Sequence, residues 1–277
     1  MARKRVKSGK TSGPTTAKKP PLTHFLCFPL VTEASRPILQ ESMNRFAKAI
    51  IRAEDGSYKE DPIFPPAAIR PVGTLHLTLG VMSLPKPEQL EGALSLLKSL
   101  DVVSMLKDID LKIKGVNEGK TVTPLVINLK SLSTTKGPTK ASNLFAPPED
   151  LTSRLQPFAE ALKNLFTDAG FMFKEERRLT LHATVVNTIY ARPGGRGTAT
   201  EISKSTPAGS VKAPPKARGP IKFDATPLLA RYKDYVWANK IRIEKVAICK
   251  MGATKILDES GKPIDAAYEE VASIPLP

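Results

Sequence analysis

The chain has 277 residues, 41% of them apolar and 25% charged, which is enough for a hydrophobic core without disulfide staples. Lys and Arg number 42 against 27 acids, a formal charge of +15, and such an excess points to a polyanionic partner, an anionic surface or a localisation signal. No run approaches the ~20 apolar residues of a membrane span, no apolar stretch follows the basic start MARKRVKSGK, and the two distant cysteines, Cys27 and Cys249, read as buried free thiols of an intracellular protein rather than as a disulfide framework or a zinc site.

Residues 1–20 hold seven Lys/Arg and no acid and read as a disordered basic tail. KRVK at 4–7 and KK at 18–19 suit a nuclear address, so a nuclear or cytoplasmic setting is expected. The folded domain is expected over 21–277. Residues 24–31 (HFLCFPLV) form an apolar strand, and Ser35 offers an N-cap with Pro37 in the first helical turn. Ile38, Leu39, Met43, Phe46, Ala47, Ile50 and Ile51 then give a helical stripe that stops before Gly56. Alternation over 75–82 predicts a strand, and Leu90, Leu94 and Leu97 predict a helix over 87–100. Strands are expected at 109–115 and 122–130, a polar loop at 131–147, a helix from Pro148 to Gly170, and strands at 171–174 and 179–187. Residues 191–220 contain ten Gly or Pro, six Lys/Arg and one acid, the composition of a disordered loop insertion. A short helix near 225–233 and a strand near 241–251 complete the pattern. Mixed helices and half-polar strands favour an α+β fold with antiparallel sheets.

Only three histidines are present, and two share a context: Thr74-Leu75-His76-Leu77-Thr78-Leu79 and Thr180-Leu181-His182-Ala183-Thr184-Val185. A strand has a side-chain period of two, so His76 and Thr78 share one face, as do His182 and Thr184, while the aliphatic residues take the other. Imidazoles titrate near neutrality and act as general acid or base. Two of them flanking a phosphodiester divide those roles, and a hydroxyl two residues on donates to a non-bridging oxygen. That scheme calls for no metal and no cofactor. His24 has Leu26 at the corresponding position and reads as structural.

At these residues the chain resembles the 2H phosphoesterase superfamily of 2′,5′-RNA ligase-like proteins and cyclic phosphodiesterases, which carries two His-x-Thr/Ser motifs about a hundred residues apart; here the histidines are 106 apart. Residues 23–30, 70–84 and 181–190 carry a closer likeness to the phosphoesterase domain of A-kinase anchor protein 7 and, nearest, to that of the activating signal cointegrator 1 complex subunit. The resemblance implies a bilobal fold of two antiparallel sheets facing a central cleft, helices outside, each sheet contributing one motif. It implies a phosphoesterase acting on RNA ends, with His182 activating water, His76 protonating the leaving oxygen, and Thr78 and Thr184 binding the phosphate. Arg70, Tyr190 and Lys250, near motif ends or on a late strand, are candidate substrate contacts. The alternative is a non-catalytic RNA-binding or coactivator and repair-complex subunit that holds a phosphate in the same cleft. The tail carries +7 and the insertion +5, leaving +3 on the other 227 residues, so the body is expected to be nearly neutral.

Overall fold

The computed structural model describes residues 20–50, 64–115, 121–191 and 219–277. Nearly all of the expected basic tail and of the 191–220 insertion lies outside the described residues. The elements in order are β1 (His24–Pro29), α1 (Arg36–Ile50), β2 (His76–Met82), α2 (Pro87–Ser99), α3 (Val102–Lys114), β3 (Val126–Lys130), β4 (Asn143–Ala146), β5 (Pro148–Glu149), α4 (Leu155–Asp168), β6 (Ala183–Asn187), α5 (Thr226–Arg231), β7 (Val236–Arg242), β8 (Lys245–Leu257) and β9 (Pro263–Pro275). The strands make two antiparallel sheets, one of six in the order β4-β6-β2-β1-β8-β9 and one of three in the order β5-β3-β7. This is the expected α+β, two-sheet architecture.

Alternation decides which face of the large sheet is buried. On β2 and the residue before it, Leu75, Leu77 and Leu79 are at most 4% exposed, while His76, Thr78 and Gly80 are half-buried on the other side. The apolar face packs under α4, where the Phe28 and Phe158 rings stack at 5.9 Å. α1 covers the small sheet: Phe46 meets Trp237 of β7 edge to face at 4.9 Å. The opposite face of the large sheet carries its own small apolar cluster of Phe25, Cys27, Ala247 and Cys249, edged by Val81, Met251 and Tyr268. The two thiols are buried, as expected, with sulfurs 3.9 Å apart.

Several expectations need correction. Residues 109–115 are not a strand but the end of α3. Ile109, Leu111 and Ile113 alternate in sequence, yet Val102, Leu106 and Ile109 are the buried residues, at helical spacing, while Leu111 and Ile113 are 45% and 42% exposed. The helix has clear ends: Asp101 accepts from the Ser104 N–H at 3.0 Å, and Gly115 closes it at φ 71°. Ser35 does not cap α1. Its hydroxyl donates to the Leu30 carbonyl at 2.7 Å and accepts from the Thr32 N–H, knitting the preceding turn. The helix expected from 148 begins at Leu155, because Asp150 caps it from outside, accepting from the Leu155 N–H at 2.7 Å. Residues 171–174 supply only a single bridge, Met172 to Met82. The 131–147 loop contains β4, and the late strand resolves into β7, β8 and a long partner, β9. Finally, the two motifs are not divided between the sheets: β2 and β6 are neighbours in the large one.

Candidate active site

β2 and β6 are joined antiparallel through the pair Leu77 and Ala183. Extending that register by one residue each way sets His76 opposite Thr184 and Thr78 opposite His182. Leu77 and Ala183, both fully buried, turn to the core, so the four polar side chains share the other face. They form a rectangle with a local twofold through its centre. Antiparallel partners lie about 5 Å apart and residues two apart on a strand about 6.7 Å, which puts the histidine Cα atoms on a diagonal of about 8 Å. Two imidazoles at that separation can reach opposite sides of one phosphorus centre.

Both rings are oriented by the same device. Nδ1 of His76 bonds the Thr74 carbonyl at 2.8 Å, and Nδ1 of His182 bonds the Thr180 carbonyl at 2.8 Å. A carbonyl only accepts, so each Nδ1 carries a proton, and Nε2 is the nitrogen each ring leaves to exchange one. In His76 that nitrogen accepts from the Thr78 hydroxyl at 2.9 Å. The His76 ring is held by Phe25, centroids 4.9 Å apart, and by the edge of Tyr268 at 5.2 Å. His182 packs on Phe145 at 5.1 Å. Burial is the main cause that pushes His76 down from its ordinary 6.5 to about 4; the bond to Thr74 works the other way, while the charge of Arg70 and then His182 push it further down. Protonation costs more in a buried site beside a cation, so His76 is neutral in the empty site at neutral pH.

Arg70 is brought to this centre. Its N–H donates to the Val185 carbonyl of β6 at 2.9 Å, its guanidinium stacks 3.9 Å from the Tyr190 ring centroid, and Nη2 donates to the Tyr268 hydroxyl at 3.4 Å. The side chain is buried, 9% exposed, and no carboxylate among the described residues pairs with it. A buried guanidinium between two phenols is charge-matched to an anion. Tyr190 lies on the turn Thr188–Ala191 after β6, and the pKa of the Tyr268 hydroxyl is raised, chiefly by burial. Arg70 and Tyr190 line a second cavity of about 400 Å³. The first, of about 640 Å³, is lined at the motifs by Thr78, Thr180 and His182.

Lys250 is not brought in. It pairs with Glu269 at 2.6 Å and lies in register with His24, at the opposite end of β1 from the Pro29–His76 pair, about 16 Å of strand away. His24 is buried, with Nδ1 2.9 Å from the Thr23 hydroxyl, apart from the rectangle as expected. Tyr268 is the site residue the sequence reading missed. The turn signal Asp258-Glu259-Ser260-Gly261-Lys262-Pro263 followed by alternating Ile264, Ala266 and Tyr268 could have shown a hairpin returning to the site. Among the described residues there is no cluster of three or more His, Cys, Asp or Glu with metal-ligand geometry.

A half-curled antiparallel sheet carrying two His-x-Thr motifs in opposed register defines the two-histidine phosphoesterase class. Residues 22–276 match the family model of the AKAP7 2'5' RNA ligase-like domain. The chain belongs to that family, and through it to the 2H phosphoesterase superfamily. It is 30% identical over 202 residues to the uncharacterized protein C15D4.13c of Schizosaccharomyces pombe, covering 73% of this chain and 76% of that protein. Among solved structures it is similar to E. coli LigT complexed with 3'-AMP, at 16% identity, with TM-score 0.46 and coverage of 92% and 98% of the two chains. It is also similar to TT0787 of Thermus thermophilus, at 15% identity, with TM-score 0.40 and coverage of 92% and 98%.

Proposed function

We propose that the protein is a phosphoesterase that acts on RNA ends, 2′,3′-cyclic phosphates or 2′,5′-phosphodiesters, by two-histidine acid–base catalysis. The observation that carries this reading is the Leu77–Ala183 register, which gathers both imidazoles and both hydroxyls on one face. In the hydrolytic direction, Nε2 of His182 takes a proton from water as its oxygen bonds to phosphorus. The bond from phosphorus to the leaving ribose oxygen breaks, and His76 gives that oxygen a proton. His76 gains this proton when the phosphate binds, because the anion offsets Arg70 and the loss of water that keep the ring neutral beforehand. Once Nε2 is protonated it no longer accepts from Thr78, whose hydroxyl is released to donate to a non-bridging oxygen. Thr184, opposite His76, serves the same oxygen charge from the other side. Arg70 stabilises the dianionic character of the transition state without itself exchanging protons.

The scheme uses only side chains of this chain. Incubation with 2′,3′-cyclic nucleotides and with 2′-5′ oligoadenylates, each with and without EDTA, tests it. Turnover of at least one class, insensitive to EDTA, is expected; no turnover across the panel overturns the enzymatic reading and leaves phosphate binding without chemistry.

A further inference from the structure

The larger cavity does not end at the motifs. It runs from Thr78 and His182 to Lys163 of α4 and to Phe173, Arg177 and Arg178 on the segment that leads from α4 back to β6. Only three residues separate Arg178 from His182, four steps that span at most about 14 Å of chain. Resting on the phosphoesterase reading above, we infer that this cavity is a track for single-stranded RNA, in which Phe173 stacks on a base and Arg177 and Arg178 hold a phosphate beyond the reacting one.

Three observations support the track. Phe173 is 54% exposed, so its ring lies on the cavity wall and outside the core. It is fixed there by its neighbour: Met172 bridges to Met82 of β2 and lies against Gly80, where any Cβ would collide with the Met172 sulfur. The missing side chain at Gly80 thus lets the 172–173 segment seat on the motif strand, with Phe173 turned outward. The third observation is charge. The cavity wall carries three cations and one acid, Glu175, whereas the 227 residues outside the tail and insertion carry only +3 in all. Arg177 and Arg178 are 88% and 82% exposed, and their carboxylate contacts, to Glu175 at 3.9 Å and Glu160 at 3.5 Å, are long. Such exposed, loosely held pairs yield readily to a phosphate. An aromatic face beside mobile guanidinium groups is the combination that binds single strands without reading sequence. A cyclic mononucleotide, by contrast, leaves these groups without a partner.

The test uses the full chain, so that the basic tail and insertion are the same in every arm. Binding of a fluorescein-labelled single-stranded decaribonucleotide is followed by anisotropy as a function of salt, with thermal melting to confirm that each variant is folded. Phe173→Ala weakens binding about tenfold. The double variant Arg177→Gln/Arg178→Gln weakens it and lowers the slope of log affinity against log salt by about 0.7, the contribution of the one phosphate that is no longer neutralised; Arg177→Lys/Arg178→Lys keeps most of the slope. In turnover, the same variants lose several-fold more on a decamer ending in a 2′,3′-cyclic phosphate than on the cyclic mononucleotide. Affinity unchanged in all variants, or equal losses on the two substrates, overturns the track. RNA binding that responds to these substitutions while neither substrate is turned over leaves the track standing and defeats the phosphoesterase reading instead.

Discussion

Leu77 and Ala183 oppose each other across β2 and β6 and are the pair that joins those strands. Both histidines and both threonines of the motifs are one residue from that pair. Because both side chains are buried, the strands cannot slip by one residue without turning the histidines into the core. The hydrophobic face therefore sets the register of the two motifs, and their opposed arrangement follows from antiparallel pairing of two similar strands.

The rectangle assigns each threonine a partner on the other strand. Thr78→Val and Thr184→Val each lower kcat by about a hundredfold, the cost of one lost donor to developing oxyanion charge, with little change in KM. Thr→Ser at the same positions recovers most of the rate. Unchanged kcat in both valine variants contradicts the role of the hydroxyls.

His76 starts neutral, its pKa near 4, and is required to end protonated. Binding of an uncleaved phosphate ligand therefore raises that pKa and takes up protons. Affinity falls as pH rises from ~5 to ~6.5, and calorimetry in buffers of different ionisation enthalpy detects up to about one proton taken up. His76→Ala abolishes the uptake. Binding with no proton uptake in wild type in this window assigns the acid role elsewhere.

Arg70 contributes to keeping His76 neutral. Arg70→Gln removes that charge and moves the His76 titration, read from its ring proton resonances, upward from about 4, though still below the ordinary value because burial is the larger cause. The same variant loses rate by about 10²-fold through the missing cation. Arg70→Lys does not restore it, since the planar stack on Tyr190 requires a guanidinium. A titration that stays put in Arg70→Gln contradicts the coupling.

Support from outside the site is local and testable. The Gly73 N–H donates to Asp265 at 2.9 Å, and Arg36 pairs with the same carboxylate at 2.7 Å, which ties the turn before His76 to β9. A Cβ at Gly73 would stand 2.5 Å from the Ala266 carbonyl oxygen. Gly73→Ala therefore costs about 1–3 kcal/mol, seen as a lowered Tm, and lowers kcat by displacing the Thr74 carbonyl that orients His76. Lys250→Ala, at the far end of β1, leaves kcat/KM within about twofold; a larger loss would return Lys250 to the site.

The motifs were legible in the sequence because a strand's period of two writes a shared face directly into alternating letters. That same rule misread 109–115, where Ile109, Leu111 and Ile113 alternate by coincidence on a helix that buries one of them. The caps Asp101 and Gly115 were the better signal. Arg70 could be named as a candidate from its place beside a motif, but not its phenol cradle, since Tyr268 arrives from β9, nearly two hundred residues on. Lys250 was drawn in by its place on a late strand, and only the β1–β8 register shows that it lies at the wrong end. Which strands become neighbours is decided by packing across the whole chain, so the sharing of one sheet by both motifs was not readable from either motif alone.

The most direct measurement compares wild type, His76→Ala, His182→Ala and the double variant on an RNA ending in a 2′,3′-cyclic phosphate, with product formation followed by chromatography. If the two imidazoles act as one acid–base unit, each single variant loses about 10³-fold or more, and the double variant is hardly worse than either. Turnover undiminished in either single variant, with wild type active, contradicts the account.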